Sequence, residues 1–580
     1  VHERAEAAMA VRIWAAALTV TAALLGCGGG GGSNPAGAGN GDGTAGAPPE
    51  ESVALVTKAS TPSDASRFLT HASFGPTQAE IDRVLAIGYD GWLAEQFERS
   101  PAQTHLQYWQ SRAQPGVAVS ADWINHSFWR NAIAGDDQLR QRVAFALSQI
   151  FVVSLNDAAV GAMPRGVASY FDMLGRNAFG NFRQLLEDVS LHPMMGLYLT
   201  HLRNQGQADR FPDENYAREV MQLFTIGLYE LHPDGTPKLD GAGNPVETYT
   251  NDDVSGLAKV FTGWSWAGPD RSDTRFNGNP ADPLRDVTPM QAYPQFHATT
   301  DKVFLGGSCP GGTMPEPSLK CALDRLAAHP NVGPFIGRQL IQRLVTSNPS
   351  PAYVKRVAAA FADDGSGVRG NLKAVLRAIL LDPEARVAPA PTDVKYGKPR
   401  EPVLRMAALL RATGATSTSG NFLIPNTENA ANSLGQSPMR APSVFNFWRP
   451  GYVPPGTELA SAGLVAPELQ LLNETSVAAY LNLMQTTIQS GIGEGNPRDV
   501  RPDLSELAAL ADNADALLER LSLLLAGGQM SPGTRQRIRD VVNSIAIPNF
   551  NPSGATTART NRTMIALLLL VASPEFLAQK

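Results

Sequence analysis

The densest set of chemically capable side chains in the chain is Asp213, Glu214, Asn215, Tyr216, Ala217, Arg218 and Glu219. Three carboxylates and a guanidinium within about two helical turns fit either of two arrangements. In the first, Glu214 and Arg218 form an i,i+4 ion pair on a capped helix whose buried face is Ala217, Val220, Leu223, Phe224 and Leu228. Acidic residues in a first turn also suit the helix dipole. In the second, the cluster faces a cleft, with Glu219 as acid/base or metal ligand and Arg218 holding an anion. His297 is the histidine most able to join such a site, and Asp252 and Lys302 are its nearest companions in chemistry. These segments meet only if the tertiary fold brings them together. A lone histidine in a loop more often serves as a hydrogen-bonding residue. His71 and His192, set in apolar contexts near helix ends, read as structural.

Familiar catalytic spacings do not occur: the chain has no GxSxG, HExxH, P-loop or GxGxxG after a strand. The nine histidines are scattered singly. Asp240 and its neighbours resemble a calcium loop at first glance, but the acidic spacing is wrong and Pro237 and Pro245 interrupt it. Trp264 and Trp266 suit either a sugar platform or core packing, and large aromatics favour the core. No metal or cofactor follows from the residues themselves.

Compartment is more legible than chemistry. Met9 is a credible start; Arg12 precedes an apolar stretch from Ile13 to Leu25, and Leu24, Leu25, Gly26 and Cys27 close it. A basic residue, a short apolar core and a small residue before the cut describe a signal peptide, too short to span a bilayer as a mature helix. The ending resembles the lipobox of bacterial lipoproteins, which implies acylation of Cys27 and a lipid anchor. Gly28 in the following position implies the outer membrane as destination. Five glycines and a tether rich in Gly, Ala, Asn and Pro run on to about Thr61, a composition that cannot bury a core. Of three cysteines, Cys309 and Cys321 remain, an even pair in a Gly/Pro-rich loop that reads as a disulfide in an oxidising compartment. A net charge of −6 argues against nucleic acid as a partner.

The elements that must position these residues are mainly α-helical. With 43% hydrophobic residues the chain has ample material for a core. Thr77 and Glu80 form a capping box opening a helix, as do Thr250 and Asp253. Residues 137–153 read as a buried helix. Further helices are expected at 168–175, 179–203, 213–230, 252–262, 319–329, 332–346, 351–363, 370–381 and 400–412. A β-hairpin is expected near 233–250, turning at residues 240–244. A Pro/Gly/Asn-rich stretch from about Thr413 to Pro467 separates this body from a final set of helices, the last capped by Ser573 with Pro574 at its first position. The expected organisation is a signal peptide over 1–26, a lipidated tether over 27–61, a main helical domain over 62–475 and a C-terminal helical part over 476–580.

Seven segments together resemble one family of exported bacterial proteins, that of the domain of unknown function 1800. They are RFLTHASFGPT (67–77), NAFGNFRQLLEDVSLHPMMGLYL (177–199), DENYAREVMQLFTIGL (213–228), YTNDDVSGLAKVFTGWSW (249–266), HATTDKVFLG (297–306), KYGKPREPVLRMAALLRA (395–412) and LGQSPMRAPSVFNFWRPGY (434–452). The closing SPEFLAQ belongs to the same pattern. The resemblance implies a large, mainly helical exported protein, often encoded beside a second exported family with a sulfatase-like or phosphatase-like fold. It carries over no activity. Two functional expectations stand: a lipid-anchored envelope protein that binds or scaffolds an exported partner or polymer, and an exported metal-assisted hydrolase using Glu214, Arg218, Glu219 and His297. Convergence of those four side chains in one pocket separates the two.

Overall fold

The computed structural model describes residues 53–206, 210–389, 393 and 395–580. The segment expected as a signal peptide, Cys27 and the expected tether up to residue 52 lie outside the described residues. Helices dominate, as the apolar periodicity requires. The clearest example is Leu372–Leu380, which buries Leu372, Val375, Leu376, Ile379 and Leu380 at the i, i+3, i+4, i+7, i+8 positions of one face.

The helices that matter for position are α1 (Pro62–Ala72), α2 (Gln78–Glu98), α3 (Asp122–Ala134) and α4 (Gln138–Ser148). They are followed by α5 (Phe182–Leu191), α6 (Pro193–Tyr198), α7 (Asn215–Gln222) and α8 (Asn251–Ala258). Next come α9 (Pro315–Ala328), α10 (Val332–Leu344) and α11 (Pro402–Ala412). The C-terminal set contains α12 (Glu474–Ser490), α13 (Ala514–Ala526), α14 (Pro532–Ser544) and α15 (Pro552–Val571). The capping boxes at Thr77/Glu80 and Thr250/Asp253 are formed, and others stand at Thr61/Asp64, Thr104/Gln107 and Asn473/Ser476.

Several boundaries differ from the sequence reading, each for a local reason. The helix expected over 179–203 is two helices, because Pro193 has no N–H to continue α5 and opens α6 instead. The helix expected over 213–230 is only Asn215–Gln222. The chain leaves it through Gly227 at φ 73°, where a Cβ would stand 2.7 Å from the Phe335 ring. Ser573 makes no side-chain cap; Pro574 alone marks that short helix.

Among the described residues the strands form four antiparallel two-stranded pairs, beside isolated bridges: β1 (Trp264–Ser265) with β2 (Gln291–Ala292), β3 (Lys302–Phe304) with β4 (Gly307–Cys309), β5 (Lys398–Pro399) with β8 (Ala578–Gln579), and β6 (Thr416–Ser417) with β7 (Val500–Arg501). The region expected as one hairpin folds back twice. Glu230 N donates to Val246 O, Lys238 N to Glu230 O and Val246 N to Lys238 O, with tight turns at His232–Gly235 and Asp240–Gly243. Asp240 Oδ1 accepts from the N–H groups of Ala242 and Asn244, so its carboxylate is committed to the turn.

One cluster of buried apolar side chains extends from Ala65 to Phe576. The Thr413–Pro467 stretch is no spacer: Ile424, Leu434, Met439 and Trp448 are buried in the body. The apolar run Met564–Ala572 ends α15, which packs against α12, α13 and α14. No helix among the described residues is long and apolar enough to cross a membrane. In turn α13 packs on α1 and α11, so the C-terminal part is bound into the body.

Candidate functional site

The Asp213–Glu219 cluster sits where α7 begins, opposite the turn that leaves α6. Thr200 and Arg203 in that turn hold φ of 63° and 69°, a left-handed conformation that non-glycine residues keep only when their surroundings impose it. The surroundings are identifiable. Arg203 N donates to Trp264 O at 2.9 Å and Gly206 N to Phe296 O at 2.9 Å. Thr200 Oγ1 donates to Asp213 Oδ2 at 2.9 Å, while Asn204 brackets the Asp213 main chain from both sides. The result is an open cleft of about 370 Å³ lined by Thr200, Arg203, Asn204, Arg210, Phe211 and Asp213. The Phe211 ring is fully exposed at its edge.

Beside this cleft, Glu214 and Arg218 pair at 3.4 Å, with about four-tenths of each side chain exposed. The other Glu214 oxygen accepts from Ser255 Oγ on α8. Glu219 is half-buried; burial pushes its carboxyl above the usual range against the opposing pull of Arg218. Its Oε2 is sealed from solvent without a hydrogen-bond partner. Asp252 is exposed on the first turn of α8.

His297 is elsewhere in function. Its Nδ1 lies 2.8 Å from Thr262 O, which fixes the proton there, and Nε2 lies 3.0 Å from Ser318 Oγ. Burial lowers it to about 4, so the ring is neutral and both nitrogens are engaged. Lys302 is buried and donates to Ala298 O. Among the described residues no hydrogen bond or ion pair joins His297 to Glu214, Arg218 or Glu219. Likewise, no group of three or more His, Cys, Asp or Glu among them is placed to hold a metal ion. The structure therefore unites Glu214 with Arg218, sets Glu219 beside them and leaves His297 as a packing residue.

His71, buried against Arg386, and His192, whose Nδ1 receives Met194 N, are structural as read from sequence. Trp264 and Trp266 are buried, not a platform. Cys309 and Cys321 form a disulfide, with Cα atoms 6.1 Å apart, tying β4 to α9.

Sequence reasoning missed a set of charges inside the core. Arg142 on α4 and Arg343 on α10 are almost wholly buried; Arg142 donates to Arg343 O, and Arg343 donates to Gln149 O and lies 4.8 Å over the Trp448 ring. Burial lowers both guanidinium groups to about 10, with Glu401 and Glu468 opposing. Glu401 accepts from Gln149 and Gln436, and Lys398 meets Glu468 at 2.8 Å. The available signal was charge at positions where helical periodicity demands apolar residues, as at Arg142 within residues 137–153.

The protein is thus of a mainly helical class, a large body trimmed with short antiparallel pairs and holding ionic groups in its core. The family model described as "Protein of unknown function (DUF1800)" matches residues 67–578, and the chain belongs to that family. No curated protein and no solved structure matches it.

Proposed function

We propose that this is an exported, lipid-anchored cell-envelope protein that binds an exported partner or an envelope polymer. The observation that carries the binding reading is the cleft at the start of α7. Its turn is held in a strained conformation at Thr200 and Arg203, and it presents Arg203, Arg210, Asp213 and an exposed Phe211 to solvent. Strain concentrated beside exposed charge and an unburied aromatic is the pattern of a recognition surface. The disulfide supports an oxidising compartment, and the residues from Arg12 to Cys27 support export and acylation at Cys27.

Two measurements test the parts separately. Cells fed labelled palmitate should incorporate it into the protein and lose it on Cys27→Ala; an unlabelled wild type would remove the anchor. Sedimentation with purified envelope polymers and with a co-encoded sulfatase-like protein should show saturable binding. Phe211→Ser with Arg210→Glu should weaken it roughly tenfold or more, as loss of an interface anchor does. Unchanged binding by the double variant would place recognition elsewhere.

A second reading, an exported metal-assisted hydrolase, draws on Glu219, whose raised carboxyl has an unpartnered oxygen. Stoichiometric metal in the purified protein, lost on Glu219→Ala, would bring that reading forward.

A further inference from the structure

Lys398, Arg400 and Glu401 stand within four residues of one another and are all buried, yet among the described residues only two of them find compensating partners. Lys398 has Glu468, and Glu401 has Gln149 and Gln436. Arg400 is 5% exposed, and its guanidinium makes no hydrogen bond or ion pair to any described residue. Its Nε is sealed from solvent without a partner. The groups acting on its charge are Arg405, of like sign, and the Tyr480 hydroxyl. Burial and Arg405 lower it to about 10, which leaves it protonated at neutral pH. A buried cation with no counter-charge is strongly unfavourable, whereas the same cation facing an anion is not.

What Arg400 faces is a cavity of about 790 Å³ between α1, the end of α13 and the C-terminal residues. Small-molecule sites occupy roughly 300–1,000 Å³. The side chain is aimed by its backbone: Arg400 N donates to Leu577 O at 2.8 Å beside the β5–β8 pair, and the guanidinium stacks 5.1 Å over Phe576. Arg67 stands on the same wall, held by the main-chain oxygens of Arg386 and Lys580. Glu575, the one acidic side chain among the described lining residues, accepts from Ser531 N and Thr534 Oγ1 through Oε1, while its Oε2 is sealed from solvent without a hydrogen-bond partner. Much of the remaining wall is apolar, including Ala526, Met530, Pro574 and Ala578.

We propose that this cavity binds a small organic oxyanion, its carboxylate or phosphate on Arg400 and its apolar body against Met530 and Ala578. The planar guanidinium presents paired donors to two oxygens of one headgroup, and Arg67 adds positive field from behind. This site is separate from the cleft at α7 and stands or falls without it.

The test is calorimetric titration of the purified full chain carrying Cys27→Ser, so that no detergent competes, with decanoate, decyl phosphate and decanol. At least one anion should saturate a single site and bind roughly tenfold or more tightly than decanol, as a charge-assisted hydrogen bond provides. The tighter of the two anions identifies the headgroup. Arg400→Met should reduce anion binding to the level of decanol while its melting midpoint stays at or above that of the wild type, since an unpaired buried charge is replaced by an apolar chain. Ala388→Trp narrows the rim with Arg400 intact and should weaken both anions. Equal binding of anions and decanol, or no binding, would overturn the assignment. So would an Arg400→Met protein that melts lower and binds the anions as before, which would make Arg400 a packing residue.

Discussion

At the scale of single residues, the histidines divide chemistry from architecture. His192, His201 and His297 are buried, and burial lowers them to about 3, about 4 and about 4. Each is held by its own contacts: His201 Nε2 meets Ser190 O at 2.8 Å and its ring stacks on Tyr216. In the unfolded chain the same rings titrate near 6.5. The folded protein therefore keeps them neutral where the unfolded chain takes up protons. Their contribution is fully present above about pH 6.5 and is lost as pH falls toward 4, by up to about 1.4 kcal/mol per pH unit for each ring. Melting midpoints measured from pH 7 down to 5 should fall accordingly, and a flat profile would contradict the neutral-ring assignment. His297 could not have been separated from a catalytic histidine by sequence, because its partners Thr262 and Ser318 lie 35 and 21 residues away.

At the scale of elements, the region that carries His297 and Lys302 depends on how closely β3 lies on α8. Gly256 makes that approach possible: a Cβ there would stand 1.7 Å from the Val303 carbonyl oxygen, so strand or helix must move. Gly256→Ala should cost about 1–3 kcal/mol, the usual range for overpacking, read from chemical denaturation. A variant as stable as the wild type would mean that β3 yields freely. Turn and cap chemistry was readable here because it is local. Thr250 meets Asp253 three residues on, and Asp240 meets Ala242 and Asn244 within its own loop. The ends of helices were less readable, since Pro193 and Gly227 compete with an apolar period that runs straight through them.

At the scale of the whole molecule, the C-terminal helices are part of the body they follow. Ser66 Oγ on α1 donates to Leu523 O on α13, β8 completes β5, and Gln579 donates to the carbonyls of Leu344 and Val345 on and after α10. Removing residues 476–580 would expose the apolar faces of α1 and α11 and strip β5 of its partner. A fragment ending at residue 475 should show no cooperative thermal transition in calorimetry, where the full chain shows one. A sharp transition in the fragment would establish two independent units instead.

The sequence by itself determined the helical character, the capping boxes, the pairing of Cys309 with Cys321 and membership of the family. Each of these depends on neighbours along the chain, on a two-member choice or on ordered segments. Only the tertiary structure decided which charged side chains face water and which are enclosed. Glu214 and Arg218 remain at the surface, His297 turns inward, and Arg400 emerges as a buried cation without a counter-charge among the described residues. Burial and pairing are set by what packs across a side chain from distant segments, and no spacing within a segment encodes them.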